Sequence, residues 1–262
     1  MDVFKQFDAY SLRARVVPAL LALAPAVAAL ALLISWKTLD LSNTVATAAV
    51  VVLLFAIADA TRERGRAIEN LLFPGRKGMP SVVLFRRNDP TIDAGTKDRF
   101  RAVLAKKLGV AAPTAEEEAV NQDAADAFFE QCGGWLRDHT RDTKKFRLLF
   151  AENVTYGFRR NLLGVKWIAL TLNLVVVAIC VGLLWKLSWV VESVDGKRIC
   201  VVLIVAAAHA VYMLLAVRKA AVLDAAHAYG RELILSCEAF ATAPAKRVRK
   251  PAAPKDEMES SA

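Results

Sequence analysis

The stretch 167-WIALTLNLVVVAICVGLLW-185 carries no charged residue and has a tryptophan at each end. A helix over it covers about 27 Å at ~1.5 Å of rise per residue, close to the ~30 Å hydrocarbon thickness of a bilayer. Tryptophan favours the boundary between acyl chains and headgroups, so the two rings mark the ends of a span. Three other runs, Val16–Trp36, Leu41–Ala58 and Ile199–Val217, are also uncharged and of similar length. They fall into two pairs, the first closed by a turn at Lys37–Asn43 and the second by a loop at Lys186–Arg198. The sequence therefore predicts a mainly α-helical membrane protein: four transmembrane helices in two hairpins (16–60 and 165–217), with a small cytosolic domain inserted between the second and third spans.

Composition agrees with that class. Hydrophobic residues make up 56% of the chain, mean hydropathy is +0.36, and the apolar residues are gathered into these blocks. Pro18 and Pro25 interrupt the first run, which lipid-embedded helices tolerate better than soluble ones. A secretory signal is the rival reading, with Ala26-Val27-Ala28 resembling a cleavage site. The apolar run continues past that site to Ile34, so a retained helix is expected. Residues 1–15 read as an interfacial segment, with Phe4, Phe7, Tyr10 and Leu12 on lipid and Lys5, Arg13 and Arg15 at headgroups.

Residues 61–164 read as a basic, mostly helical domain with one or two short strands. Ser81–Phe85 is the strand candidate, a compact apolar run between Pro80 and Asn88-Asp89-Pro90. Asp93–Leu108 has helical periodicity and is stopped by Gly109. Thr114 with Glu117 forms a capping box. The next helix starts near Asp123 and is weakened at Gly133-Gly134. A last helix runs from Asp142 to about Leu163 and is expected to end at Gly164. After the fourth span, 218–240 reads as a stalk helix that pairs with the polar extension of the second span. The tail 241–262 is rich in Ala, Pro and charge and is expected to be disordered.

The formal charge of +9 lies mainly outside the apolar runs. It suits anionic headgroups or nucleotides, and it is also what the positive-inside rule produces with no ligand. Lys5, Arg13, Arg15, Arg62, Arg64, Arg66, Arg159, Arg160, Arg218 and Lys219 share one side of a four-span plan, against Lys37, Lys186, Lys197 and Arg198 on the other. This places both termini and the middle domain in the cytosol and the protein in the cytoplasmic (inner) membrane. Cys132, Cys180, Cys200 and Cys237 form no C-x-x-C pair, so neither a disulfide framework nor a zinc site is expected.

Two basic clusters are candidate anion-binding residues. Arg86 and Arg87 follow the strand candidate, where guanidinium forks grip phosphate, although the same residues fit a solvated turn. His139, Arg141 and Lys144 lie at a helix start that Asp142 or Thr143 caps. Within the spans, Asn173 and His209 are candidate polar contacts, either joining helices or lining a narrow path in an oligomer. No intramembrane carboxylate, phosphate-cradling glycine loop, nucleophile elbow or metal-ligand spacing is present, and no cofactor is implied. The functional expectation is a non-enzymatic sensor, effector or scaffold. Its partners would be the lipid bilayer, further copies of itself, and a cytosolic protein or nucleotide-like anion, without specific nucleic-acid recognition. The alternatives are a membrane-anchored enzyme acting on a phosphorylated or lipid substrate through His139, Arg141 and Asp142, or a small channel. The plan of two hairpins around a helical domain resembles, in architecture alone, membrane-embedded effectors of bacterial nucleotide-signalling defence systems. No motif carries that resemblance, and it assigns no residue.

Overall fold

The computed structural model describes residues 9–33, 43–76 and 78–241. Phe4, Phe7, most of the first hairpin turn and the tail from 242 onward lie outside the described residues. Of the described residues 82% are helical and none is in a strand. Helix α1 joins Ala9–Ser11, a π-helical turn Leu12–Val16, and Val17–Leu33. Then follow α2 (Asn43–Leu72), a 3₁₀ turn Pro74–Arg76, α3 (Pro80–Val83), α4 (Ala94–Leu108), α5 (Ala115–Val120) and α6 (Gln122–His139). The chain closes with α7 (Arg147–Lys186), α8 (Val194–Leu215), α9 (Lys219–Leu235) and α10 (Glu238–Ala241).

Three helices among the described residues, not the expected four, are long and apolar enough to cross a membrane: Leu12–Leu33, Arg147–Lys186 and Val194–Leu215. The run expected as a second span is the first half of α2. That 30-residue helix continues without a break through Asp59, Arg62, Glu63, Arg64, Arg66 and Glu69, and most side chains of its apolar first half lie outside the described residues. The strand expectation at Ser81–Phe85 is also corrected. A short, fully apolar run has the same pattern in a buried helix as in a strand. Among the described residues no neighbouring strand accepts its backbone bonds, and they close locally instead: Val83 N–H to Met79 O at 3.0 Å and Leu84 N–H to Pro80 O at 3.0 Å.

Helix α7 is the spine of the molecule. Its 40 residues extend about 60 Å and touch α1, α2, α8 and α9. It passes straight through Gly164, expected as a helix end. The missing side chain there serves packing instead: a Cβ would lie 2.6 Å from the carbonyl carbon of Arg64 on α2. Gly65 of α2 answers it, since a Cβ there would overlap the Asn161 side chain. Asn161 is fully buried and donates from Nδ2 to the Ala14 carbonyl at 2.6 Å, tying α1 to the same level of α7. Deeper in the bundle, Ala22 packs with Leu162, Val165, Ala169 and Met213, and Val176, Cys180, Leu184, Ile199 and Val202 form a second layer. The outer face is apolar, with Trp167 and Trp185 72% and 73% exposed and Leu174, Ile204 and Leu215 between their levels or beside them.

The remaining helices make a domain at one end of this bundle. Its core gathers Leu84, Phe85, Phe100, Leu104, Phe128, Phe129, Cys132 and Leu136 around Leu149, and Leu233, Ile234 and Cys237 close it. The segment 218–240 is thus part of the domain core, and α2 and α9 both pack on α7. Burial pushes the Cys132 and Cys237 thiols up to about 12, so both behave as small hydrophobes. The caps match their sequence signals. Asp93 accepts from Thr96 N–H at 2.9 Å, Gly109 ends α4 at φ 70°, and Thr114 and Glu117 exchange both capping-box bonds. Thr114→Ala is expected to lower the unfolding free energy by about 1 kcal/mol. An unchanged thermal midpoint for that variant would show that the box contributes nothing.

Candidate anion-binding groove

The two expected basic clusters stand at opposite ends of α6. Arg86 is held bidentately by Asp126, with Nε–Oδ1 at 2.9 Å and Nη2–Oδ2 at 2.5 Å. Arg87 meets Glu118 through its backbone N–H (2.8 Å) and Nη1 (2.5 Å), and donates to the Thr114 and Pro113 carbonyls. Lys97, 1% exposed, donates to the Arg86 and Asp89 carbonyls, and Arg101 donates to Phe85 O at 3.0 Å. Burial holds the Lys97 pKa below the usual ammonium value. This network closes the loop after α3, and the forks of both Arg86 and Arg87 are occupied by carboxylates.

His139 lies at the other end of α6, about 20 Å from Asp126 at ~1.5 Å per residue. Its ring stacks on Trp135 (3.9 Å) and Nδ1 is 2.8 Å from the Trp135 carbonyl. Arg141 pairs with Asp138 at 2.7 Å on the surface. Asp142 does not open α7; its carboxylate accepts from the Lys144 and Lys145 N–H groups, and the helix begins five residues later at Arg147. Those backbone bonds, with the Lys145 one largest, hold the Asp142 carboxyl below its ordinary pKa. The Lys144 residue contributes its backbone to that turn.

Between the domain and the inner ends of α1, α2, α7 and α9 runs a groove with two lobes, of about 140 and about 310 Å³. Tyr10, Arg137, Asn153 and Tyr229 line both lobes. The walls carry four arginines (Arg76, Arg137, Arg141 and Arg160) and one glutamate, Glu69. Arg160 pairs with Glu69, which also accepts from the Tyr156 hydroxyl at 3.0 Å. Arg76 pairs with Glu130 at 3.3 Å and Arg141 with Asp138. Arg137 alone of the four has no ion pair among the described residues. Burial lowers its pKa, while the flanking Glu130 and Asp138 carboxylates are committed to the other two arginines. A guanidinium carries five N–H donors in a planar fork and stays charged in proteins.

The local reason for this placement is Gly133-Gly134. Helical side chains lean back over the preceding turn, and Arg137 does so: its Nη1 is 3.3 Å from where a Gly133 Cβ would stand and its Nη2 is 3.9 Å from that of Gly134. The glycines leave α6 unbroken and clear a bed for the guanidinium. Beside it the rings of Tyr156 and Tyr229 stack with 6.1 Å between centroids and 3° between planes. The Tyr10 hydroxyl, from the start of α1, is packed against Gly157 of α7. Arg137, Arg160, Glu69 and the tyrosines were not legible as a group in the sequence. The Gly133-Gly134 pair one turn before an arginine is the one local signal that points to them.

Inside the apolar bundle, Asn173 (5% exposed) donates from Nδ2 to the Ala206 carbonyl of α8 at 2.9 Å, and its Oδ1 has no partner. His209, one turn further along α8 and 8% exposed, has neither ring nitrogen in a hydrogen bond of normal geometry. It faces the Leu21 carbonyl of α1, which Pro25 leaves without its helical N–H donor. The pair thus touches the backbones of neighbouring helices, one each. No protein family, characterised protein or solved structure matches this chain.

Proposed function

We propose that the protein is a multi-pass membrane receptor whose domain binds an anionic small molecule in the groove around Arg137 and relays its occupancy to the bundle. The observation that carries the reading is Arg137, a half-buried guanidinium without a carboxylate among the described residues, beside three arginines that each have one. A half-buried charge without a counter-charge gains no ion-pair stability for its partial loss of water, and a binding site accounts for its presence. A phosphate or carboxylate would complete its fork, and the stacked Tyr156 and Tyr229 offer a flat apolar wall to the rest of the ligand. The relay has a direct route, because Tyr10 belongs to α1 and Asn153, Tyr156 and Arg160 belong to α7, two of the apolar helices.

An apolar belt with outward tryptophans is larger than a soluble monomer leaves in water, which supports burial in lipid. Helix α1 leaves the domain end at Tyr10, and α2 re-enters the domain at Leu72. The first half of α2 is therefore the natural fourth crossing, and all domain segments fall on one side, the cytosolic one by the basic bias. Assembly into an oligomer remains part of this reading, on the same exposed belt.

The test is thermal unfolding of the detergent-purified full chain with pyrophosphate or adenosine triphosphate as probe anions. Wild type is expected to gain about 2.7 kcal/mol at a hundred times the dissociation constant. Arg137→Gln should lose at least tenfold in affinity, yet melt at or above the wild-type midpoint without probe. A lowered midpoint for the empty variant, or unchanged probe binding, would show Arg137 to be structural.

A further inference from the structure

Where α8 ends at Leu215 and α9 begins at Lys219, the chain turns through Ala216, Val217 and Arg218 and leaves a cavity of about 240 Å³ against α7. Phe158, Leu162, Tyr212 and Val217 form its inner wall, and Arg159 and Arg218 stand at its rim. Neither arginine makes an ion pair among the described residues, and both are exposed. Arg159 donates one Nη1–H to the Ala221 carbonyl at 3.0 Å, leaving the rest of its fork open. Lys166, the next cation toward the bundle, is already held by the Val217 carbonyl at 2.9 Å and lies over the Trp167 ring. Below the rim the wall is made by the Phe158, Leu162, Tyr212 and Val217 side chains, and Trp167 follows Arg159 by about two helical turns.

The cavity is therefore cationic at its rim and apolar along its inner wall, and Trp167, about two turns further along α7, lies on the bundle side of it. We propose that it is a binding site for an anionic phospholipid, with Arg159 and Arg218 forking the phosphate oxygens and an acyl chain lying against Phe158, Leu162 and Tyr212. A free phosphate offers the same oxygens but nothing for the apolar wall. A lipid matches both rim and wall and is confined by the bilayer to the depth of the two guanidiniums. The ligand sits where α7, α8 and α9 meet, so its presence would brace the joint between domain and bundle. The inference rests on the bilayer placement proposed above and is separate from the Arg137 groove.

The experiment measures phospholipid retained by the full chain after purification in mild detergent, by mass spectrometry, and repeats the measurement after exchange into nanodiscs of phosphatidylcholine with added phosphatidylglycerol. Wild type is expected to retain phosphatidylglycerol, and Arg159→Gln with Arg218→Gln to retain about tenfold less. The control pair Arg64→Gln and Arg66→Gln, exposed cations on α2 with Arg64 level with Gly164, should retain as much as wild type. Equal loss in both double variants, or none in either, would reduce the site to diffuse attraction and overturn it. Displacement of the lipid by millimolar inorganic phosphate or glycerol phosphate would overturn it in favour of a free-anion site. A chain that leaves the membrane fraction without detergent would instead overturn the bilayer placement itself.

Discussion

Gly164→Leu is expected to unseat α2 from α7, and Gly164→Ala to cost about 1–3 kcal/mol of stability. Two effects of opposite sign meet at this position. Alanine is the better helix former by about 1 kcal/mol, so on propensity alone the change would stabilise a helix interior. The added Cβ, however, would sit 2.6 Å from the Arg64 carbonyl carbon, 2.8 Å from its oxygen and 2.8 Å from the Gly65 nitrogen. All three atoms are backbone, so no side chain can rotate away. Only separation of the two helices relieves the overlap, and Asn161, which fills the space beside Gly65, moves with them. Gly182 is the internal control. It lies on the same helix with nothing within 4 Å of its Cβ position, so Gly182→Ala should leave the midpoint unchanged or raise it. Tryptophan-monitored thermal unfolding in detergent reads all three variants. If Gly164→Ala melted with Gly182→Ala, the close approach of α2 and α7 would be wrong.

The second large effect is expected at Glu118. Its carboxylate accepts from the Arg87 N–H and guanidinium and lies 3.8 Å from Arg101, whose Nε has no partner. The Glu118 and Arg101 side chains are 6% and 3% exposed, so water cannot replace a lost counter-charge. Removing one member of such a buried set costs about 3–5 kcal/mol, a large fraction of the ~5–15 kcal/mol that holds a typical domain together. Glu118→Ala should therefore unfold the domain at temperatures where the wild type is native, while Glu118→Gln keeps one acceptor and falls between. The comparison pair is Arg141–Asp138, exposed on both sides, where Asp138→Ala should cost no more than about 1 kcal/mol. Denaturant unfolding followed by circular dichroism separates these cases, and equal midpoints for Glu118→Ala and Asp138→Ala would remove the buried network as a source of stability.

Much of the helical plan was legible along the chain. Asp93, Gly109 and the Thr114–Glu117 box each act within three or four residues, so their bonds are written in adjacent sequence, and the structure shows all of them. Glycine was harder to read, because one residue type answers several physical needs. Gly109 does end a helix in the left-handed region, whereas Gly164 lies within one and admits a neighbouring backbone, and Gly133 and Gly134 make room for Arg137. The Ser81–Phe85 run is ambiguous for a related reason: burial on nearly every side erases the period that distinguishes strand from helix.

Of the candidate site, the sequence supplied an excess of cations but not which of them is free to bind. Arg86 and Arg87 look available in the sequence, and their partners Asp126 and Glu118 lie 40 and 31 residues away. Nothing adjacent marks Arg137, and the nearest carboxylates on its own helix, Glu130 and Asp138, are taken by Arg76 and Arg141. By itself the sequence determined a mainly helical chain with membrane-length apolar runs and well-marked helix ends, because hydropathy and capping are properties of neighbouring residues. The tertiary structure decided that α7 is one continuous spine, that α9 and α10 close the domain core, and that one guanidinium in a shared groove has no counter-charge among the described residues. Those outcomes depend on which distant side chains meet in space, and charge pairing and backbone approach are settled only there.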